Sequence, residues 1–596
     1  MSDDQWQSLP GMFFAQAARL GSQPFLWRKR DGRWQSLSYA EVAAEVRRVA
    51  RGLLALGIEA GDRVSLVSEN RPEWAIADLA IMSVGAITVP AFTTNTVSDH
   101  RHVLTHSGAR GVIVSSRAIA DRVLPAAIEA PELAFVVTME ELPVAQRIGK
   151  RLVPWREVLS AGDQRKDDID AATARQQRSD VCCIIYTSGT GGTPKGVMLT
   201  HGSILCNCQG AYHLLADLGV GRDVFLSFLP LSHSYEHTAG QFFPMTLGAQ
   251  IYYAESIEKL HDNMAEVRPT IMTAVPRLYE AMHQRILRGL AKATPLQRRL
   301  FDLALELGRK RYEQPDKFGL SDRLLDRFAE ATVRRKLRKR FGGRLKAWVS
   351  GGAALNYEIG IFFVALGVRL LQGYGQTEAS PVITANPPRR IKIDTVGPAL
   401  AGVELRLADD GEILVRSEAV MKGYWRDASA TQMAIRHGWL HTGDIGSIST
   451  EGYLQITDRK KDIIVLSGGD NVSPARVEGF LVLQPEINQA MVYGDRHPHL
   501  VALLVPDAEF IKNWNERQGT SADLASLAGD REFQRALGAA VDRVNADLSA
   551  IERIRRFAIA AEPFSTENAM LTASLKIRRH KIRERYEPML EGLYTP

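Results

Sequence analysis

The chain has 596 residues, of which 45% are hydrophobic and 24% are charged, a composition that is typical of globular proteins and excludes a disordered one. One hydrophobic core does not serve a chain of this length, so two or more domains are expected. The net charge of +6 favours anionic ligands or a membrane surface. It is too small to indicate nucleic-acid binding, and the sequence has no zinc-finger or RNA-binding motif.

The first residues, the apolar stretches and the cysteines predict a cytoplasmic protein. The amino-terminal sequence MSDDQWQSLPG has neither the basic nor the apolar region of a signal peptide. The longest apolar stretch, residues 75–92, is interrupted by Asp78, Gly85 and Pro90, which predicts a helix, a turn and a strand instead of a membrane span. The cysteine spacing does not match a zinc site and fits a reducing compartment. The four cysteines are Cys182, Cys183, Cys206 and Cys208.

Helices and strands are predicted to alternate from about residue 38. An amphipathic helix over residues 39–56 leads to a strand in DRVSLVSE, and a helix over residues 72–84 leads to a strand in AITVPAF. This alternation predicts an α/β domain with mostly parallel strands. Further strands are predicted in RGVIVSS, DVFLSFLPLSH, LGAQIYYAE, RPTIMTAVPRLYE, RLKAWVSGGAAL and VRLLQGYGQTE.

The alternation stops between residues 282 and 345, where the sequence is helical and basic. Val333, Leu337 and Phe341 recur at a spacing of four residues, with six lysine and arginine residues between them. One interpretation is an ordinary surface helix with a solvated basic face. The other is a face that meets anionic lipid, which places the protein peripherally on the inner membrane surface.

The carboxy-terminal part of the sequence has a different pattern. After residue 394 it is rich in strands and turns, and a domain boundary is predicted within DRKKDIIVLSGGDN, residues 458–471. We therefore place an amino-terminal domain at residues 1–460, which contains the basic insertion, and a smaller α+β domain at residues 461–596.

The segment YTSGTGGTPKG, residues 186–196, predicts a phosphate-binding loop after a short apolar strand. Its glycines let the backbone approach a ligand, and its hydroxyls and Lys195 add donors and a positive charge. It is not a Walker A loop, because Pro194 precedes Lys195 and Gly196 follows it, and it lacks the GxGxxG spacing of dinucleotide sites. On its own the loop leaves the class of phosphate enzyme open.

Seven segments in order resemble the adenylate-forming superfamily of acyl-CoA synthetases, luciferases and peptide-synthetase adenylation domains. They are YTSGTGGTPKG, LPLSHSYEH, VSGGAAL, QGYGQTEASPV, LHTGD, DRKKDIIVLSGG and LTASLKIRR. The resemblance covers about residues 10–590, and the basic insertion and the LTASLK ending are similar to the long-chain fatty acyl-CoA synthetase branch. It implies a large multi-lobed α/β domain with parallel sheets and a distorted β-barrel, followed by a small mobile α+β domain.

The resemblance implies an enzyme that activates a medium- or long-chain fatty acid with ATP, giving acyl-AMP and pyrophosphate, and then transfers the acyl group to coenzyme A. AMP is a far better leaving group than oxide, so ATP makes the second step feasible. Three alternatives stay open. They are a fatty acyl-AMP ligase that loads an acyl carrier protein, a ligase for aryl or branched acids, and a non-catalytic scaffold that binds acyl-adenylate or membrane.

The resemblance also assigns the groups that bind ATP. The loop would hold the β- and γ-phosphates, and Thr187 and Glu378 would bind Mg²⁺, a cation that prefers oxygen ligands. The other phosphate contacts are Ser188, Gly189, Thr190, Gly192, Thr193 and Lys195. Asp444 would accept hydrogen bonds from both ribose hydroxyls, with Arg459 beside it. The adenine slot and its neighbours are Gly352, Ala353, Ala354, Gln372, Gly373, Tyr374, Gly375 and Thr377.

Three further residues are assigned to catalysis and movement. Lys576 would stabilise the negative charge that develops on the carboxylate and α-phosphate oxygens, and His233 would lie beside both groups. Lys461 matches the hinge about which the small domain turns after adenylation. The thiol would then approach past Ser467, Gly468, Gly469 and Asn471.

Two positions depart from the family pattern. Gly191 stands where a second threonine is usual in the loop, and Leu575 stands where many members have glycine before the lysine. Neither departure removes a charged group, so an active enzyme is expected.

Overall fold

A computed structural model describes residues 6–141, 149–187, 193–572 and 576–595 of the protein. Its first eight-stranded sheet carries the hairpin of the predicted phosphate loop. Six of its strands are parallel, since helices return the chain to the same end of the sheet in most of their connections, and two further strands extend one edge through antiparallel pairing. In spatial order the strands are Gly423–Tyr424, Lys195–Thr200, Val181–Thr187, Ile87–Pro90, Arg63–Val67, Ala109–Val114, Phe135–Thr138 and Arg151–Pro154.

The second eight-stranded sheet has six parallel strands in its centre and one antiparallel strand at each edge. Its inner strands are short runs of apolar residues, which suits strands that are covered on both faces. In spatial order the strands are Val382–Ala385, Leu370–Gly375, Ala347–Ser350, Ile271–Ala274, Val224–Ser227, Gln250–Tyr253, Pro24–Arg30 and Arg33–Ser38.

Helices pack against both sheets, and several begin with a reciprocal cap. At residues 39–55, for example, the Ser38 hydroxyl accepts from the Glu41 backbone N–H while the Glu41 carboxylate accepts from the Ser38 N–H. The helices before residue 276 are Leu9–Leu20, Tyr39–Ala55, Pro72–Ser83, Val97–Ser107, Arg117–Glu129, Trp155–Asp163, Ile169–Ala174, His201–Leu215, Phe243–Leu247 and Leu260–Val267, with a π-helical stretch at Glu236–Phe242.

The basic insertion is a group of helices, but its arginine-rich run is not one solvated face. Arg334 is fully buried and donates to the carbonyl oxygens of Ala304 and Ala365, at 2.7 Å each, while its guanidinium pairs with Asp326 at 2.6 Å. The expectation of a uniform basic surface is therefore wrong at this residue, because helix packing gives it a structural role. The helices are Pro276–Ala291, Pro295–Glu313, Leu320–Ala329 and Arg335–Arg340, with π-helical Glu330–Arg334 between the last two.

A five-stranded antiparallel sheet follows helix Tyr357–Ala365 and contains the sequence LHTGD. Its strands are Glu404–Leu407, Glu412–Arg416, Ile435–Arg436, Trp439–Ile448 and Leu454–Arg459, and helix Ala428–Ala434 lies beside them in the chain. This sheet occupies the part of the sequence where turns and strands were predicted.

The carboxy-terminal region has its own hydrophobic core. It contains the pair Ile464–Val465 and Asn471–Val472, and a three-stranded sheet of Ile487–Tyr493, Leu500–Pro506 and Ile554–Ile559. Its helices are Pro474–Leu481, Ala508–Gln518, Leu524–Ala528, Arg531–Asp547 and Arg579–Gly592. The α/β fold class with a large sheet-containing domain and a smaller carboxy-terminal one is confirmed. The boundary at residue 460 stays a prediction.

Two adjacent cysteines lie in the hydrophobic core. Cys182 and Cys183 lie on a central strand of the first sheet with no exposed surface, as expected for small core residues. Within the described ranges, every helix is too short or too polar to cross a lipid bilayer.

Candidate active site

The predicted phosphate loop connects two antiparallel strands of the first sheet. Thr187 ends one strand and pairs with Lys195, which begins the next. Ser188, Gly189, Thr190, Gly191 and Gly192 lie outside the described residues. The hairpin therefore fixes both ends of the loop, and Thr187 and Lys195 face one another across it.

Tyr424, which the sequence analysis missed, joins the loop to Glu378. Its hydroxyl donates to Glu378 Oε1 at 2.9 Å, and Lys195 Nζ lies 5.0 Å from the centroid of its ring. Lys195 Nζ also lies 4.0 Å from Asp427 Oδ2. The only signal in the sequence is the aromatic pair in MKGYW, which resembles an ordinary strand. It is the antiparallel pairing of Tyr424 with Val197 that brings the ring to the loop.

Glu378 has no basic partner within the described part of the chain. Its carboxylate accepts from the neutral Tyr424 hydroxyl, and its backbone oxygen accepts from the Met421 N–H at 2.8 Å. Thr377 beside it is buried, with its hydroxyl 3.0 Å from Ser234 Oγ. A half-buried carboxylate that forms no ion pair is suited to a metal ion or another positive group.

Asp444 is buried and lies between two of the other predicted ligand groups. The Tyr374 hydroxyl donates to Asp444 Oδ2 at 2.6 Å, and Arg459 Nε lies 3.2 Å from Oδ1. Burial raises the pKa of Asp444, and the Arg459 charge and the Tyr374 hydrogen bond oppose this rise. A hydrogen bond to the preceding residue stabilises this segment, because the Gly443 N–H donates to Glu412 Oε1 at 3.0 Å.

The predicted adenine slot divides into exposed and structural residues. Gly352, Ala353 and Ala354 follow a sheet strand and are exposed, and Gly352 has a φ of +85°, a conformation that favours glycine. Gln372 is different, because its side chain is buried and donates to the Thr395 oxygen at 3.0 Å while it accepts from the Leu355 N–H at 3.2 Å. Its side chain therefore holds the loop in place, and its backbone oxygen accepts from the Asn386 N–H at 2.9 Å, so Gln372 has a structural role here.

The remaining residues that are predicted to form the adenine slot lie on one strand and in the segment that follows it. Gly373, Tyr374 and Gly375 form the end of a sheet strand and are partly exposed. A Cβ atom at position 375 would lie 1.8 Å from the Pro381 oxygen, so only glycine fits there. This close approach occurs where the strand pairs with Val382–Ala385 and the register of the pairing shifts.

Lys576 comes from the carboxy-terminal region and lies in the same cleft. Its backbone is held by Thr572, since its N–H donates to Thr572 Oγ1 at 3.0 Å and its carbonyl accepts from the Thr572 N–H at 2.8 Å. Its side chain keeps contact with water, yet protein surrounds much of it, and this loss of hydration together with Arg459 lowers the pKa of Lys576 to about 8. The carboxylates of Asp444 and Glu378 act in the opposite direction.

His233 is neutral and has a defined tautomer. Burial, with a smaller contribution from Lys576, lowers its pKa to about 4. Its Nδ1 accepts from the Tyr235 backbone N–H at 3.1 Å, so the ring proton of the neutral form lies on Nε2. The residue therefore offers an N–H donor, and not a positive charge, to an anionic group beside it.

The predicted hinge and thiol residues lie apart from this cluster. Lys461 is exposed, and the loop with Ser467, Gly468, Gly469 and Asn471 is exposed as well. This loop borders a cavity of about 610 Å³ with Asp495 and Arg496. In the described ranges, no hydrogen bond or ion pair joins the loop to Glu378, Asp444 or Lys576.

The cleft thus collects the donors and charges that a nucleotide ester requires. Lys195 lies at the loop, Asp444 lies beside Tyr374, and Lys576 lies within electrostatic reach of Glu378 and Asp444. Two carboxylates and two ammonium groups at this spacing can hold a phosphate ester and stabilise charge that develops on it.

Comparisons with known proteins identify the family of this chain. The family model described as AMP-binding enzyme matches residues 13–425, and the model of its C-terminal domain matches residues 461–596. The chain is 35% identical over 572 residues to the long-chain-fatty-acid–CoA ligase FadD15 of Mycobacterium tuberculosis, covering 95% of this chain and 93% of that protein. It is 30% identical to long-chain-fatty-acid–CoA ligase 6 of Homo sapiens, covering 96% and 85%.

Solved structures match the fold at lower identity. The A domain of carboxylic acid reductase from Segniliparus rugosus, in complex with AMP and a co-purified carboxylic acid, aligns with a TM-score of 0.78 and 21% identity over 99% of this chain and 95% of that one. The chain therefore belongs to the adenylate-forming family of AMP-binding enzymes, in its long-chain acyl-CoA synthetase branch.

Proposed function

We propose that the protein is an AMP-forming ligase that joins a medium- or long-chain fatty acid to coenzyme A at the expense of ATP. The single observation that carries this proposal is the cleft in which Lys576, from the carboxy-terminal region, lies within electrostatic reach of Glu378 and Asp444 from the amino-terminal one. The relatives named as long-chain-fatty-acid–CoA ligases support this substrate class.

In the first step a carboxylate oxygen of the fatty acid attacks the α-phosphorus of ATP, and pyrophosphate leaves. Lys576 places its ammonium group beside the α-phosphate oxygens, where negative charge increases. His233 donates its Nε2 proton in a hydrogen bond to the carboxylate or the phosphate and so orients the attack. Asp444 accepts from the ribose hydroxyls and holds the nucleotide in register.

Mg²⁺ fits the residues of the site. Glu378 is a carboxylate that forms no ion pair with the described residues, and Thr187 ends the strand before the phosphate loop, so both could supply the hard oxygen ligands that this cation prefers. When bound, Mg²⁺ neutralises charge on the phosphates of ATP. Lys195 adds a further positive charge at the phosphate loop.

In the second step the thiol of coenzyme A attacks the acyl carbonyl, and AMP leaves with the bonding electrons. We propose that the carboxy-terminal region, residues 461–596, turns about Lys461 between the two steps. This turn would remove Lys576 from the cleft and bring Ser467, Gly468, Gly469 and Asn471 toward it.

The function is tested by mass spectrometry of a reaction with ATP, Mg²⁺, coenzyme A and fatty acids of graded chain length. We expect acyl-CoA and AMP as products, with the chain preference read from the relative yields. Acyl-adenylate without thioester would contradict coenzyme A as the acceptor and point to an acyl carrier protein. No ATP consumption with any acid would contradict the ligase altogether.

Adenylation is expected to weaken as pH rises above about 8. The Lys576 ammonium is required in its charged form, and its pKa is lowered to about 8, so the neutral amine predominates above that value. Single-turnover rates of acyl-AMP formation measured against pH would reveal this decline. Lys576→Arg should remove the decline, because a guanidinium stays charged. An unchanged alkaline decline in that variant would assign it to another group.

The nucleotide contact is tested by Asp444→Asn. An amide has one acceptor oxygen and no charge, so we expect the KM for ATP to rise by about 10- to 100-fold, as for the loss of hydrogen bonds to a charged group. Tyr374→Phe, which removes only the donor to Asp444 Oδ2, should have a smaller effect. An unchanged KM for ATP in Asp444→Asn would contradict the ribose assignment.

A membrane surface is a proposed partner, and a cytoplasmic location with peripheral attachment is proposed with it. Residues 282–345 contain 18 lysine and arginine residues against seven aspartate and glutamate residues, a net charge of +11 in a chain whose total is +6. Such a segment attracts anionic lipids, in which long-chain fatty acids also partition.

A further inference from the structure

The helix Leu320–Ala329, here called the insertion helix, has its acidic side chains facing the protein and its large apolar side chains facing solvent. Asp322 pairs with Lys310 at 2.8 Å, and Asp326 pairs with Arg311 at 2.7 Å and with the buried Arg334 at 2.6 Å. These pairs hold the helix against the rest of the insertion. Surface helices of globular proteins normally have the opposite orientation.

The exposed face of the insertion helix is an apolar stripe. Leu320, Leu324 and Phe328 follow each other at a spacing of four residues and have 78%, 67% and 50% of their surface exposed, and Leu325 beside them has 45%. Large exposed apolar side chains elsewhere in the described ranges are more scattered along the chain. Single exposed residues of this kind are common, whereas a contiguous group indicates an interaction surface.

Basic side chains flank this stripe and have no acidic partner in the described part of the chain. Arg323 and Arg327 lie on the insertion helix itself, and Arg335, Lys336, Lys339 and Arg340 follow on the next helical turns. All six are exposed. Several charges of one sign beside an apolar stripe match an anionic surface with an apolar interior, which is the profile of a bilayer.

A groove of about 730 Å³ lies next to the stripe and has a basic lining. Arg268, Arg327, Arg335, Arg338 and Lys339 border it, with Glu330 as the one acidic side chain among its lining residues. Glu330 is paired with Arg338, so it does not cancel the charge of the other four. Guanidinium groups bind phosphate through several hydrogen bonds at once.

We propose that the insertion helix is the membrane-docking element of this protein. Leu320, Leu324 and Phe328 enter the interface of an anionic bilayer, and the basic groove receives the phosphate of a lipid headgroup. This inference builds on the proposed function, since docking brings the cleft to the membrane in which its fatty-acid substrate is dissolved. The part that inserts into the bilayer is the apolar stripe, and not the whole arginine-rich run.

Vesicle co-sedimentation of the full chain tests the proposal. We expect binding to vesicles of phosphatidylcholine mixed with phosphatidylglycerol, and much weaker binding to phosphatidylcholine alone or at high salt. The double variant Leu324→Gln, Phe328→Gln should lower the partition coefficient by at least about tenfold through lost apolar burial. Arg327→Gln with Arg335→Gln should lower it by roughly tenfold or more through lost attraction.

Matched controls separate this surface from general changes in charge and hydropathy. Ile128→Gln alters an apolar side chain that is 52% exposed on another helix, and Lys512→Gln alters a lysine that is 73% exposed in the carboxy-terminal region. Both should bind vesicles as the unaltered protein does. Equal binding by all variants, or loss of binding in the two controls as well, would overturn the proposal.

Two further measurements distinguish the docking surface from its alternatives. Sedimentation velocity without vesicles should show the same oligomeric state for the unaltered protein and the double apolar variant. Self-association that is lost in this variant would assign the stripe to a second copy of the chain instead. Acyl-CoA formation from detergent-dispersed fatty acid should be the same in all variants. If the ligase reaction itself is absent while vesicle binding behaves as expected, the proposed function fails and the docking surface stands.

Discussion

Lys576→Ala is expected to slow acyl-adenylate formation by roughly 10²–10³-fold, the usual cost of removing one group that stabilises charge in a transition state. The Lys576 ammonium lies within electrostatic reach of Asp444, Glu378 and His233, and it is the positive group that we assign to the α-phosphate. Of the other positive groups in the site, Arg459 is held by Asp444 at 3.2 Å and Lys195 lies at the phosphate loop. Formation of pyrophosphate in a rapid-quench experiment measures this step directly.

The same variant should form thioester normally when acyl-adenylate is supplied. In the proposed cycle Lys576 has left the cleft before the thiol arrives, so its side chain contributes nothing to the second step. Lys581→Ala is a suitable control, since Lys581 lies five residues away and pairs with Glu584 on the surface. Equal slowing of both half-reactions by Lys576→Ala would contradict the assigned role and indicate a structural one.

Glu378→Gln is expected to lower kcat/KM by at least about 10²-fold, because the carboxylate is proposed to hold the cation that neutralises the phosphates. The amide is almost the same size and can still accept from the Tyr424 hydroxyl, so the fold should be preserved. The loss should be partly recovered at high Mg²⁺ concentration, since weaker cation binding is overcome by mass action. Initial rates measured across a Mg²⁺ titration would reveal the shift.

Tyr424→Phe gives the matched comparison for Glu378→Gln. It removes the hydrogen bond to Glu378 Oε1 but keeps both the carboxylate and the ring beneath Lys195. A loss of about tenfold or less is expected, as for a group that orients a metal ligand. If Glu378→Gln behaves like Tyr424→Phe and shows no change in Mg²⁺ dependence, the carboxylate orients the loop and does not bind the cation.

Much of the architecture follows from local patterns. The alternation of apolar strands and amphipathic helices before residue 282 predicts parallel sheets, because each helix must return the chain to the same end of the sheet. The structure has two such sheets. Lys195, Glu378 and Asp444 were assigned to the site because each lies in a segment whose order along the chain resembles one family.

Other parts of the site have no local signal. Tyr424 is separated from Glu378 by 46 residues and from Lys195 by more than 200, and only strand pairing brings the three together. Gln372 was expected in the adenine slot, but its side chain turns inward because the loop at Leu355 requires a buried acceptor for its N–H. Whether a side chain faces a ligand or the core is decided by packing.

The basic insertion shows the same division most clearly. By itself the sequence determined that residues 282–345 are helical and strongly basic, since charge and helical spacing are local properties. Only the tertiary structure decided that Arg334 is buried, that Asp322 and Asp326 face inward, and that Leu320, Leu324 and Phe328 face solvent. The physical reason is that an ion pair between helices reverses the usual orientation of an amphipathic helix, and its partners come from a different helix of the chain.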